Sequence, residues 1–505
     1  MKGTRRQRVA PGIKLHPVSY AAGSGQVALP RRITPVVTTG PAPARRLIFG
    51  SIVILVVIRF FTEVWPVLPR WSHFVDIPIF FTLAFTALAR PGLQEHERRD
   101  VSLLVAFAWL FLLACAVATF VNASRVETAP VLVFIYGYLA PVGVFFAVYR
   151  LWPVGSSVHL SRLIVALGGL QLLVVTFIDL PRFLGSNNPD EISGTFGENP
   201  YQLVFFMLLF VALLAGIFTF EQQRRVARFV PMLFVLAMGT IFLAQYRALL
   251  LTTFFTLVVL AALLGSARLR GAAIAGVVGF TFLVTLNYTA QALPVLRLGG
   301  AVDALTGDPA SIVSTRAHAL DHVVKLYDDN PRYMLTGTGP GTYSSRAFQT
   351  FWGAKSKSQS NVAGAYVTAL TGGTYRTDVS DKYIDPRIRE GEVFQGSRAL
   401  GMPFSDYTSL LAEVGFLGFA AMLLIYSSAL LYAGRIALAL RRRAVPGDPL
   451  PGLALATFVA FFVLPQMGIL QSWLEVTRIT FPAWILLAVV TKEFRCRYEA
   501  SSESH

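Results

Sequence analysis

The chain has 505 residues, of which 54% are hydrophobic and 14% charged, with a mean hydropathy of +0.57. That balance excludes an ordinary water-soluble domain and points to a membrane protein that crosses the bilayer many times. The formal net charge of +16 would imply a nucleic-acid partner in a soluble protein, but here it is expected from basic loops between spans, and no nucleic acid is expected. The two cysteines, Cys115 in an apolar run and Cys496 in a basic tail, have neither a metal-ligand spacing nor a plausible disulfide.

Residues 1–46 carry Lys2, Arg5, Arg6, Arg8, Lys14, Arg31, Arg32, Arg45 and Arg46, no acidic residue, and scattered proline and glycine. Such a stretch cannot bury a core and reads as a disordered basic arm on the cytoplasmic side, without the cleavage site of a secretory leader. Apolar runs follow at about 47–65, 74–89, 101–122, 129–149, 159–180, 201–220, 229–245, 248–265, 272–290, 409–434, 452–470 and 473–491. A hydrocarbon core of about 30 Å needs roughly 20 helical residues, so the runs predict an all-α polytopic protein of about twelve transmembrane helices. With the N-terminus inside, each inner segment is basic: Arg90, Arg98 and Arg99, then Arg150, then Arg224, Arg225 and Arg228, then Arg268 and Arg270, then Arg435 and Arg441 to Arg443. The tail adds Lys492, Arg495 and Arg497. Both termini are therefore expected in the cytoplasm, with helices one to nine in 47–290, a large extracytoplasmic loop at 291–407, helices ten to twelve in 408–491 and a tail at 492–505.

Arg59 in the first span stands four residues before Glu63, which reads as a structural i, i+4 ion pair. The outer segment 181–200 is polar, and Arg247 sits in the turn Gln245-Tyr246-Arg247 between two spans. In the long loop, Ile312, Val313, Leu320, Val323, Val324 and Tyr327 recur at helical spacing between Asp308-Pro309 and Asn330-Pro331. They predict an amphipathic helix with Arg316 on its apolar stripe and His318 and His322 opposite. An arginine there needs an anionic partner. The turn Gly337-Thr-Gly339-Pro-Gly341-Thr-Tyr343 follows, able to approach a ligand closely and offer its amides to an anion or a sugar. Residues 348–402 are rich in serine, glycine and aromatics, a composition that suits carbohydrate as well as simple packing. Asp406 then opens the tenth span, seven residues before Glu413 on the same face and about 10 Å away along the axis.

Four stretches resemble the O-antigen ligase and polymerase group of bacterial integral-membrane glycosyltransferases. They are Ser193-Gly-Thr-Phe-Gly-Glu-Asn199, Gln245-Tyr-Arg247, the run from Ser314-Thr-Arg316 through Tyr343, and Ser405-Asp406 through Glu413-Val-Gly-Phe-Leu-Gly418. The resemblance covers about residues 190–420. It implies an undecaprenyl-diphosphate-linked glycan as donor and acceptor, the bacterial cytoplasmic membrane as location, and a flippase and chain-length regulator as partners. It departs from the ligase pattern at Ser405-Asp406, where ligases have His-Asn, and at Glu191 and Ile192, near which many members have an arginine.

Transfer from a lipid diphosphate builds negative charge on the leaving group, and arginine's fork of donors suits phosphate oxygens. Arg247 and Arg316 are thus expected on the diphosphate, with Arg59 or Arg182 as substitutes, and Asp406 as the base for the acceptor hydroxyl. Asn199, Gly337, Gly339, Gly341, Tyr343 and Glu413 are expected to bind or position substrate. No Asp-x-Asp pair stands near these arginines, and neither a metal nor another cofactor is expected. The favoured activity is polymerisation of repeat units. Ligase-type transfer to a lipid or protein acceptor is the alternative within the family, and a twelve-span transporter or flippase is the competing class.

Overall fold

The computed structural model describes residues 42–69, 72, 74–90, 95–186, 188–197, 199–220, 224–244, 252–253, 255–256, 258–259, 310–352, 377–384, 405–443 and 447–499. Among the described residues the fold is helical, with no strands. The helices are α1 (Ala42–Arg59), α2 (Asp76–Leu88), α3 (Glu95–Val121), α4 (Thr128–Leu151), α5 (Ser157–Val174), α6 (Leu180–Ser186), α7 (Pro200–Phe220) and α8 (Arg224–Leu243). After 309 come α9 (Ala310–Asp329), α10 (Tyr333–Thr336), α11 (Arg346–Trp352), α12 (Asp406–Arg443), α13 (Leu450–Leu470) and α14 (Thr477–Phe494).

Seven helical segments among the described residues are long and apolar enough to cross a membrane: Pro43–Val64, Val101–Val121, Thr128–Leu151, Ser157–Ser186, Pro200–Phe218, Asp406–Arg441 and Leu450–Ile469. The apolar runs read from sequence coincide with these and with α2, α8 and α14, while most of 248–290 lies outside the described residues. Several boundaries differ from expectation, two of them in the segments read as arm and tail. Helix α1 already begins at Ala42, inside the segment read as an arm, and residues 492–499, read as tail, continue α14 and end in a π-type turn, Arg495–Glu499. Helix α13 runs through Pro465, whose carbonyl accepts Tyr407 Oη at 2.9 Å.

Of the seven membrane-length segments those of α7 and α13 are the most enclosed, and they cross where Gly216 meets Gly452, so closely that a Cβ on Gly216 would lie 2.3 Å from the Gly452 Cα. Small residues at such a crossing let two membrane helices pack backbone to backbone. Helix α12 packs along α13 and α3, and α14 along α4. Around Trp484 of α14, Phe145, Tyr426 and Phe461 pack at ring separations of 4.9–5.9 Å.

Side-chain bonds sort the helix ends into two groups. At one end Arg90 Nη1 reaches the Leu151 carbonyl at 3.5 Å, Lys492 Nζ the Arg150 carbonyl at 3.4 Å, and Trp152 Nε1 donates to Glu493 at 2.9 Å. Several of the arginines and lysines expected in inner loops thus share one end. Away from that end, Asp76, Glu475 and Asp406 lie against Tyr136 and Tyr138 in the first half of α4.

Candidate functional site

Helix α12 opens with a proper cap. Ser405 Oγ accepts the Thr408 amide at 3.1 Å, which places Asp406 at the first helical position. Asp406 is fully buried and turned inward: its Oδ2 accepts the Leu474 amide at 2.8 Å, and its Oδ1 lies 3.4 Å from Tyr138 Oη. Tyr138 is nearer to Glu475, donating to its Oε1 at 3.1 Å. Glu475 in turn accepts the Arg346 amide at 2.8 Å, while Arg346 Nε donates to the Ser472 carbonyl at 3.0 Å. Asp406, Glu413 and Glu475 are all fully or nearly fully enclosed, so three carboxyls share one interior with the half-buried Arg346 beside them. Burying like charges together is costly, and a nearby guanidinium offsets part of that cost.

The helix is interrupted nine residues in. Gly415 has φ +65° and ψ −168°, and a Cβ there would come within 2.4 Å of the Leu335 carbonyl oxygen. The interruption frees carbonyls, and the glycine-rich turn takes them: Thr338 donates its amide to Ala412 at 2.8 Å and Gly339 to Glu413 at 2.9 Å. The Glu413 side chain then accepts the amides of Gly341, Tyr343, Ser344 and Ser345 at 2.5–3.0 Å. Positive φ at Gly337, Gly339 and Gly341 (+65°, +111°, +75°) lets the turn wrap this closely. The expected display of amides to an anion is real, but the anion is the chain's own Glu413. Ser344 Oγ and Ser409 Oγ, 2.9 Å apart, tie the same turn to α12.

The depth of this arrangement is set by α4. Tyr138 is ten residues beyond Thr128, about 15 Å along a helix of 24 residues, so the carboxyls lie beside its middle. Asn122 at the end of α3 joins from the side, donating to the Gly337 carbonyl at 3.1 Å, and Arg125 bonds Tyr333 Oη and pairs with Asp378 at 3.1 Å.

Other expected residues lie apart or outside the described residues. Asn199 opens α7 and donates to the Phe196 carbonyl at 3.2 Å. Asp179, at the end of the π-type segment Val175–Asp179 that follows α5, accepts the amides of Ser193 and Gly194 at 3.0 and 2.6 Å and so holds the Gly-Thr-Phe turn. Arg59 and Glu63 form the expected ion pair at 3.4 Å. Arg247 lies outside the described residues; Arg316 is carried by α9, with its side chain outside them.

Helix α9 is present as read, but its buried stripe is rotated. Val323 and Leu326 are buried and Tyr327 donates to the Leu411 carbonyl at 2.9 Å, whereas Leu320 and Val324, expected inside, are exposed. Hydrophobic spacing fixes an apolar stripe but not which edge of it the protein covers. Burial raises the Tyr327 phenol above its ordinary range. At the end of α9, Asp329 accepts from Lys382 at 2.7 Å and from Tyr383, and these bonds hold its carboxyl below the usual aspartate value.

Arg346, Glu475 and Tyr138 were not singled out from the sequence. The usable signal for Arg346 was its place directly after the glycine-rich turn; Glu475 and Tyr138 sit in apolar surroundings that hide them. Among the described residues no group of histidine, cysteine, aspartate and glutamate side chains could hold a metal ion. Compared with known proteins, the chain matches no family model and no curated protein.

Proposed function

We propose that the protein is a membrane glycosyltransferase that joins undecaprenyl-diphosphate-linked oligosaccharide repeat units into a polymer. The observation that supports this most is the setting of Arg346 beside the buried Asp406 and Glu475, at the interrupted start of a membrane-length helix. In such a transfer the acceptor hydroxyl attacks the anomeric carbon of the donor, the bond from that carbon to the diphosphate oxygen breaks, and the hydroxyl proton goes to a base. Asp406 is the candidate base and Arg346 joins Arg247 and Arg316 as a candidate for stabilising the departing diphosphate. Glu413 acts at one remove, by fixing the turn that carries Arg346.

In this reading the chain has twelve spans and both termini in the cytoplasm, and the Asp406 end faces outward from the bacterial cytoplasmic membrane. A flippase delivers the donor and a chain-length regulator meets the polymer. Single cysteines at Ser356 and Ser380 should react with an impermeant maleimide in spheroplasts, while one at Ser266 should not. Purified protein given only the undecaprenyl-diphosphate repeat unit should yield dimers and longer products. Transfer to a separate core acceptor without self-elongation would favour a ligase.

A second reading has one observation behind it. A broken helix with carboxyls beside the middle of α4 is also how transporters build substrate sites near mid-membrane. Uptake of labelled repeat unit into sealed vesicles, with no new glycosidic bond, would select it.

A further inference from the structure

The arginines of the Asp406 end are not exhausted by that reading. Arg478, the second residue of α14, makes no hydrogen bond or ion pair among the described residues, and its Nη1 is buried without a partner. Arg59, the last residue of α1, reaches Glu63 through Nη1, while its buried Nε has no partner either. The two guanidinium groups are close enough for their like charges to repel, with Glu63, Asp76 and Tyr201 in the same neighbourhood. Asp76 Oδ2 is already taken, by Tyr136 Oη at 3.1 Å and Thr477 Oγ1 at 2.8 Å.

A buried N–H without an acceptor is costly, and two neighbouring arginines with such groups are costlier still unless an anion joins them. The local backbone is shaped for the purpose. A π-type turn, Phe60–Val64, starts directly after Arg59 and re-aims the end of the helix, as such turns do at many functional sites. Gly197, at φ +67°, leaves the space in which the Glu63 carboxylate lies: a Cβ there would be 1.7 Å from its Oε2.

We propose that Arg59 and Arg478 form a phosphate-binding site between the end of α1, the start of α7 and the start of α14. Guanidinium groups with open N–H bonds match tetrahedral oxyanions, which offer several acceptors at once. The site adjoins the carboxyl cluster, because Tyr201 packs on Trp473 at 5.7 Å between ring centroids and the next residue, Leu474, gives its amide to Asp406. The diphosphate of a lipid-linked donor is one source of this chemistry, an assignment that rests on the function proposed above; a phospholipid headgroup is the other.

The test uses the full chain in phosphatidylcholine nanodiscs, titrated calorimetrically with inorganic diphosphate. Saturable binding is expected, weakened at least about tenfold in Arg478→Gln and in Arg59→Gln and partly kept in Arg478→Lys. Should one glutamine variant not accumulate, the other decides. Discs containing phosphatidylglycerol separate the sources: if they abolish diphosphate binding, the headgroup is the preferred occupant, and if binding survives, the diphosphate is. Absence of saturable binding to the wild type, or unchanged affinity in the glutamine variants, overturns the site. The titration contains no glycan, so its failure leaves the transfer reading standing, and a failed elongation assay leaves the phosphate site standing.

Discussion

Two glutamates buried in the same bundle are both held by backbone amides, and their surroundings differ. Glu493 Oε1 accepts from Trp152 Nε1, the Gly155 amide and the Ser157 amide at 2.8–3.3 Å, and Arg497 pairs with Oε2 at 2.8 Å. Arg497 also reaches Ser157 Oγ at 2.9 Å and Asp448 at 3.3 Å, so its bonds close inside the cluster. Among the described residues Glu413 takes four amides and no cation; of the arginines near it, Arg125 is paired with Asp378, the Arg346 side chain gives Nε to a carbonyl, and Arg478 gives nothing. Amides alone can therefore bury a carboxylate. Open guanidinium N–H groups occur at both ends, at Arg150 Nε and Arg495 Nε as well as at Arg59 Nε and Arg478 Nη1, so what separates the two glutamates is the cation that pairs with Glu493.

The strongest way to break this comparison is to remove Glu413. Glu413→Ala strands four buried amides at about 1–3 kcal/mol each, so the variant should fail to accumulate as monodisperse protein, while Glu413→Gln, which keeps one acceptor oxygen, should be milder. Size-exclusion profiles of the two variants check this; equal, normal yields would mean the turn is not held as described. Asp406→Asn should come next, cutting elongation about a hundredfold or more while donor binding persists. Single replacement of Arg346, Arg247 or Arg316 by alanine should cost at least about tenfold in turnover, with partial rescue by lysine.

Arg497→Ala sharpens the contrast from the other side. It leaves Glu493 without its cation and should lower the thermal midpoint by several degrees, yet turnover per folded molecule should stay at the wild-type level. A loss of turnover like that of Arg346→Ala would erase the distinction between the ends. The smallest effect concerns Asp329. Because its carboxyl is held below the ordinary value, its contribution to docking Ser380–Ile384 is present above the unfolded aspartate pKa of about 3.9 and is lost as pH falls through the lowered value. Hydrogen-exchange protection of 377–384 should be flat from about pH 8 to pH 5 and fall below about pH 4, and Asp329→Asn should remove that step.

Seven membrane-length helices among the described residues were legible because long apolar runs have few alternatives to a helix, and the Arg59–Glu63 pair because its partners are local. The glycine-rich turn was legible as a turn and as a set of amides. Its occupant was not, since Glu413 lies 70 residues from Tyr343 in the chain and a local pattern carries no record of a distant partner. Asp406 was expected as the base, but its burial and its inward hold by Leu474 and Tyr138 depend on distant partners that its place at the start of a span does not record. Leu320 and Val324 misled because an apolar stripe can be wider than the part of it that is covered.

The clasp on Glu413 also sets an order for making the protein. During synthesis the amides of residues 341–345 leave the ribosome well before the carboxylate that will receive them, and Gly415 keeps the first turns of α12 from running on as an ordinary inserted helix. Until Glu413 arrives, the turn has only water to bond, and the start of α12 has no partner to fix its direction. This end of the bundle therefore closes late in biogenesis, and a chain stalled before residue 413 would offer an unlocked loop to the proteases that survey incomplete membrane proteins.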